Sequence, residues 1–256
     1  MNKNHFIFSY AGNKRNESKT IIENINFDDI NNIIEPFCGS SAMSFNIWKT
    51  YKDKFNYYLN DYDKKLIEIY ELLKSLSLDE IYLKLDYINK EINNSEEPKK
   101  FYLEIYKNPR NIFDYLYICK YSSFRRGLYR EITKIISFVN NKELILFIEF
   151  IKSPNVIITN NDWKTIYDKY KNDEKTLFLI DPPYISSCND FYQNKNTNLY
   201  EDFYLNPINN YKSKIYLILE DIWIIRLLFK DFISFKYEKK YEISKKQTNH
   251  LIISNN

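Results

Sequence analysis

The stretch Thr176-Leu-Phe-Leu-Ile-Asp-Pro-Pro-Tyr184 constrains the fold more than any other part of this chain. Five residues, mostly of β-favouring type, read as a buried strand, and the two prolines that follow cannot donate to a sheet ladder, so the strand stops there. Asp181 and Tyr184 are therefore presented at a strand's carboxyl end. In open α/β sheets that is where ligands bind and chemistry is placed.

Other segments supply the rest of such a sheet. Asn32-Ile-Ile-Glu-Pro-Phe-Cys-Gly39-Ser-Ser-Ala-Met is a short apolar strand, a turn of small residues and the start of an apolar-periodic helix running through Trp48. That is the first half of a nucleotide-binding βαβ unit. The loop lacks a full Gly-x-Gly-x-x-Gly, which argues against a dinucleotide. The next strand, Phe55 to Asp61, ends in an acid 22 positions after Gly39, the spacing at which a carboxylate meets ribose hydroxyls. Loop and acid together imply a nucleoside-containing cofactor without a bound pyrophosphate, a description that S-adenosylmethionine fits. Asn155 to Trp163 is a further strand that leads into an acid and an aromatic. Lys214–Leu219 reads as another buried strand, and Phe235–Tyr241 with Asn249–Ser254 as a closing antiparallel hairpin at the sheet edge.

Helical periodicity fills the remainder. Ser18 to Ile25 is amphipathic after the Gly12-Asn13 turn, which can hold Lys14 close to a ligand. From Lys64 to Ile151 the pattern is helical, broken at Asn93–Pro98. The expected organisation is a strand-bearing domain at 1–63 and 153–256, interrupted by an inserted helical subdomain at 64–152.

Composition excludes several classes. With 44% hydrophobic and 18% aromatic residues the 256-residue chain can build a core, and its net charge of +3 permits a nucleic-acid partner without requiring one. Three cysteines without a Cys-x-x-Cys pair, and two histidines, His5 and His250, argue against a zinc site or Ser-His-Asp chemistry, and no metal is called for. No signal peptide or long apolar run is evident, so an intracellular, cytoplasmic location is expected, whether the gene is cellular, viral or from a phage. Only six arginines occur, three of them in Tyr121-Ser-Ser-Phe-Arg-Arg-Gly-Leu-Tyr-Arg130. Arg125, Arg126 and Arg130 suit bidentate contacts to phosphate or guanine, and Gly127 permits close backbone approach.

Taken in order, these pieces resemble the DNA adenine-N6 methyltransferases of the Dam or D12-class family. Tyr10-Ala-Gly-Asn-Lys14 is similar to the family's N-terminal cofactor motif and Glu35-Pro-Phe-Cys-Gly-Ser-Ser41 to its Gly-loop. Asn60-Asp61 is similar to its ribose-binding acid, Asp162-Trp163 to its adenine-holding pair and Asp181-Pro-Pro-Tyr184 to its catalytic motif. Phe124 to Arg130 resembles its target-recognition element, and His250-Leu-Ile-Ile-Ser-Asn255 its last strand.

The resemblance implies a Rossmann-like S-adenosylmethionine-dependent methyltransferase sheet with helices on both faces and an inserted, mainly helical target-recognition subdomain, acting on double-stranded DNA, with a homodimer or a heterodimer as the assemblies to expect. It implies that Tyr10 and Lys14 meet the methionine end of the cofactor, Pro36, Phe37, Cys38, Gly39, Ser40 and Ser41 form its loop, and Asp61 takes the ribose. Asp162 and Trp163 would take its adenine, Asp181 with Pro182 would act on the amino group of a flipped adenine, and Tyr184 would stack on that base. The chain departs from the family at Asn13 and Ser41, where glycines are usual; Ser41 is expected to tighten the loop and weaken cofactor binding. Glu131–Ile151 lacks the family's glycine-containing hairpin and reads as helical, so GATC specificity is not implied. Two alternatives remain at this level: another planar amine, such as cytosine N4 or a protein glutamine, and a silent DNA-binding subunit.

Overall fold

A computed structural model describes residues 14–121, 129, 131–132, 142–184, 202–203, 208–240 and 247–255. The chain divides into two units, one holding Lys64–Val156 and the other Lys14–Asp63 with Ile157–Asn256.

The second unit is built on a sheet of seven strands among the described residues. They are β1 (Asn32–Glu35), β2 (Asn56–Asn60), β3 (Val156–Thr159), β4 (Thr176–Ile180), β5 (Lys214–Glu220), β6 (Ile233–Lys240) and β7 (Gln247–Ser254), in the order β3-β2-β1-β4-β5-β7-β6. β1 is parallel to β2 and β4, and β4 to β5. β7 is antiparallel to both β5 and β6. The closing hairpin therefore forms as the sequence suggests, with its last strand inserted next to β5 so that β6 is left at the edge.

All five residues of β4 are buried, which is why it reads as an unbroken apolar run. On one face, Ile34, Phe178 and Leu217 pack against α8 (Trp163–Tyr170) and α9 (Trp223–Leu228). Side chains alternate between faces along a strand. Glu35, next to Ile34, accordingly points the other way, and its Oε1 accepts from the Ser44 amide in α2 (Ala42–Tyr51) at 2.7 Å. Helices thus cover both faces. The strand order runs outward from β1 in one direction and from β4 in the other, so the topological switch point lies between these two strands, and it is beyond the carboxyl ends at such a point that open α/β sheets form their ligand crevice. α1 (Ser18–Ile22) precedes β1 and stops three residues short of the expected Ile25.

The carboxyl ends of three strands are tied by one side chain. Asn60, fully buried, donates to the carbonyls of Pro36 and Asn161, both at 3.0 Å. Its Oδ1 accepts from the Thr159 hydroxyl at 2.8 Å and from the Asn161 amide at 3.0 Å.

The first unit is helical: α3 (Lys64–Ser75), α4 (Leu78–Asn93), α5 (Pro98–Lys107), α6 (Ile112–Tyr121) and α7 (Lys142–Lys152). Ser77 and Glu80 form a capping box at the start of α4, and Pro98 opens α5 at a position where its missing N–H costs nothing. Arg110 joins Glu91 to the fully buried Asp114 through charge-assisted bonds. Glu131 and Ile132, expected to be helical, are not; the Ile132 carbonyl instead accepts from Asn89 and Asn93 of α4. Among the described residues no helix is long and apolar enough to cross a membrane.

Asn60→Ala should cost about 2–3 kcal/mol in urea denaturation, because it strands buried donors and acceptors at three strand ends rather than removing a single contact.

Candidate active site

β4 delivers Asp181 to the crevice, and the rigid Pro182 and Pro183 turn the chain so that Tyr184 folds back on it. Tyr184 Oη donates to Asp181 Oδ1 at 3.0 Å. The other carboxylate oxygen, Oδ2, accepts from Lys14 Nζ in an ion pair whose lysine is 3% and aspartate 22% exposed. Lys14 Nζ also lies over the Tyr184 ring, 5.3 Å from its centroid. Burial lowers the Lys14 pKa from the ordinary lysine value, and Asp181 opposes that shift. One cation therefore occupies both an acceptor oxygen and an aromatic face.

The loop after β1 is held in shape by its own backbone and by Asp61. Gly39 has φ 47° and Ser41 φ 52°, both left-handed. The Ser41 amide donates to the Cys38 carbonyl at 2.7 Å, and the Ser41 carbonyl receives the Phe45 amide at 2.9 Å, which starts α2. A serine in this conformation costs roughly 1–2 kcal/mol that a glycine would not. Its side chain is fully buried, so its Cβ does not stand in the open crevice. Asp61 Oδ2 accepts from the Gly39 amide at 2.9 Å and Oδ1 from the Asp63 amide at 3.0 Å. The acid expected from its spacing is thus brought to the loop itself. Burial pushes the Cys38 thiol well above its ordinary pKa, so it stays neutral.

Asp162 and Trp163 begin α8 beyond β3. The Asp162 carboxylate is exposed and caps the helix through the Lys164 amide at 2.9 Å. Trp163 is largely buried, with the Phe37 ring stacked on it at 6.0 Å and 29°. Phe37 thereby joins the loop to the acid–aromatic pair, while Pro36 and Ser40 are buried beside it. Tyr10, Arg125, Arg126, Gly127 and Arg130 lie outside the described residues.

Two site residues escaped the sequence reading. Glu35 ends β1, is 5% exposed, and burial pushes its carboxyl up to about 7. His250, on β7, is 1% exposed and its Nδ1 lies 3.2 Å from Tyr184 Oη and 3.4 Å from Tyr237 Oη. Burial, reinforced by Lys14 and Lys239, drives its pKa down to about 3, so the ring is neutral at ordinary pH. The sequence offers two signals for it: histidine is scarce, with two in the chain, and His250 opens the segment that resembles the family's last strand.

Comparison with known proteins places this arrangement. The sequence signature of the D12 class of N6 adenine-specific DNA methyltransferases matches residues 10–246. The chain belongs to this class. A relative, the Type II methyltransferase M.CviBI of Paramecium bursaria Chlorella virus NC1A, is 25% identical over 276 residues, covering 97% of this chain and 98% of that protein. The protein is therefore a DNA adenine methyltransferase, and the seven-stranded sheet is that of an S-adenosylmethionine-dependent methyltransferase. Adenine is its target, rather than the cytosine or protein amide left open by sequence.

The buried acid of this methyltransferase yields a pH prediction. Glu35 titrates near 7 when folded against an ordinary value of 4.5, so between those values the folded state holds a proton that the unfolded state has released. Stability from this group is fully present below about pH 4.5 and is lost as pH rises through about 7. Glu35→Gln should be more stable than the natural chain by up to roughly 3 kcal/mol at about pH 8, with the gain vanishing near pH 4. Denaturant melts across that range check it.

Proposed function

We propose that the enzyme transfers the methyl group of S-adenosylmethionine to N6 of an adenine flipped out of double-stranded DNA, with Asp181 as acceptor for the amino group. One observation carries the assignment: the two oxygens of Asp181 are held differently, Oδ1 by Tyr184 and Oδ2 by the buried ammonium of Lys14. An adenine amino group is a poor nucleophile because its lone pair is delocalised into the ring. A carboxylate and the backbone carbonyl of Pro182, both accepting its hydrogens, would favour a pyramidal nitrogen with that pair localised, and the prolines fix the geometry before the base arrives.

The flipped base would replace both contacts of Lys14. Its amino group takes Oδ2, and its ring takes the face of Tyr184 over which the ammonium lies. Flipping costs a few kcal/mol, of which stacking on one aromatic returns roughly 1–3 kcal/mol.

The cofactor's site is supported by the chemistry of the donor set. The glycine at φ 47° lets the backbone approach a ligand, the buried Ser41 side chain leaves the crevice clear, and Asp61 and Asp162 offer carboxylates beside the aromatic pair Phe37 and Trp163. Pro36, Cys38 and Ser40 complete the loop, with Lys14, Tyr10 and Asp181 toward the methionine end. Bound there, S-adenosylmethionine supplies an electrophilic methyl group on a sulfonium centre.

The helical unit around Lys64–Val156 is assigned to target recognition, with Arg125, Arg126, Gly127 and Arg130 on the DNA. Similarity to a Type II methyltransferase supports a place as the modification enzyme of a restriction–modification system.

Asp181→Ala should reduce formation of N6-methyladenine in duplex DNA by at least about a hundredfold, the scale of losing one preorganised polar contact to the reacting group. Calorimetry should show cofactor affinity falling far less than the methylation rate. Nucleoside mass spectrometry and titration with S-adenosylmethionine are the measurements. An Asp181 variant with full activity would sink the mechanism, and a natural chain that fails to bind the cofactor at millimolar concentration would favour a silent subunit.

A further inference from the structure

His250 lies beyond the residues that touch base or cofactor, yet its place is specific. It sits in the middle of β7, paired in register with Glu220 on β5 and Tyr237 on β6, so three strands fix its backbone. Its ring meets Tyr184 edge to face, with centroids 5.1 Å apart and planes at 83°, and is fixed on another side by Tyr237 at 5.5 Å. A neutral imidazole has one N–H and one lone pair, and a phenol has one proton. The Tyr184 proton is directed at Asp181 Oδ1, so the contact at 3.2 Å is satisfied when His250 Nδ1–H donates to the Tyr184 oxygen, and the Tyr237 oxygen, 3.4 Å from the same nitrogen, then shares that proton only as a second, weaker acceptor.

We propose that His250 is a positioning residue for methyl transfer, acting through a chain in which Nδ1–H donates to Tyr184 Oη and Tyr184 Oη–H donates to Asp181 Oδ1. The chain does two things. It holds the tyrosine ring at a fixed angle, so that the face over which Lys14 lies is the face offered to the incoming base. It also keeps Oδ1 engaged, so that Oδ2 alone is exchanged between the lysine ammonium and the adenine amino group. Each bond in such a chain polarises the next, so removing the first donor loosens both. The imidazole's low pKa, set first by burial, keeps it neutral across the working pH range, and the Tyr184–Asp181 bond selects the tautomer that carries its proton on Nδ1.

This inference rests on the catalytic reading of Asp181 and Tyr184, and the test separates the two. Methylation rates are measured on duplex DNA from a methylation-deficient host for His250→Leu, Tyr184→Phe and the double variant. We expect His250→Leu to lower kcat about tenfold, as for loss of one neutral hydrogen bond, with the KM for S-adenosylmethionine unchanged. The double variant should be no slower than Tyr184→Phe, because both substitutions cut the same chain. Additive losses, or a natural rate in His250→Leu, would overturn the proposal. Should His250→Leu fail to fold, His250→Asn and His250→Gln make the comparison, since the Asn amide nitrogen reaches the place of Nδ1 and that of Gln the place of Nε2. Asn should then work within about threefold of the natural chain and Gln should be slow, on the same single-bond scale; equal rates would overturn the proposal. If Asp181→Ala itself methylates normally, the catalytic reading fails as a whole; if it is impaired while Tyr184→Phe or the His250 variants are not, only the hydrogen-bonded chain and the role of His250 fall.

Discussion

The proposed site is organised around a buried charge pair, Lys14 with Asp181, which the mechanism requires to open when the base binds. Lys14 is almost wholly desolvated, and a lone ammonium in that position would carry a penalty of several kcal/mol; Asp181 offsets it. The same pairing occupies the oxygen that the proposed mechanism gives to the adenine amino group. An arrangement of this kind holds the acceptor in place without leaving the buried ammonium unpaired, and it can yield to a ligand that makes equivalent contacts. A flipped adenine, with an amino donor on its edge and a flat aromatic face, has both of the groups required. The pair is thus a preorganising device as much as a stabilising one.

Around it, the sheet supplies position and the loops supply chemistry. Parallel strands β1, β2 and β4 bring Glu35, Asn60 and Asp181 to one edge. Asn60 ties three strand ends, and the Asp61 carboxylate holds the Gly39 amide, so the crevice is shaped by bonds within the protein. The left-handed backbone at Ser41 is the cost of making that loop without the second glycine usual in the class, and it falls on the backbone because the side chain is buried.

Much of this was legible in the residues. The five β4 residues are apolar or β-favouring because both faces of a parallel strand are covered, and the prolines mark its end, so Asp181 and Tyr184 could be placed before any coordinates. Gly39 and Asp61 followed from a spacing that the βαβ unit imposes. What was not legible required register or long-range burial. Nothing near residue 250 says that it will face residue 184; that follows only from β7 lying antiparallel beside β5, a pairing no local pattern specifies. Glu35 looked like part of a loop motif, and its raised pKa comes from burial that the tertiary fold creates. Periodicity suggests helix beyond Ile22 and at Glu131–Ile132, where the structure has none, because an amphipathic pattern persists past the point where tertiary contacts replace helical ones.

The exchange at Asp181 can be tested directly by a crystal structure of the enzyme with a non-reactive analogue of S-adenosylmethionine and duplex DNA carrying a sequence that it methylates. The account predicts the target adenine N6 on Asp181 Oδ2 and the Pro182 carbonyl, the base stacked on Tyr184, and Lys14 Nζ withdrawn from both. A flipped base bound elsewhere while Lys14 stays on Asp181 would contradict it.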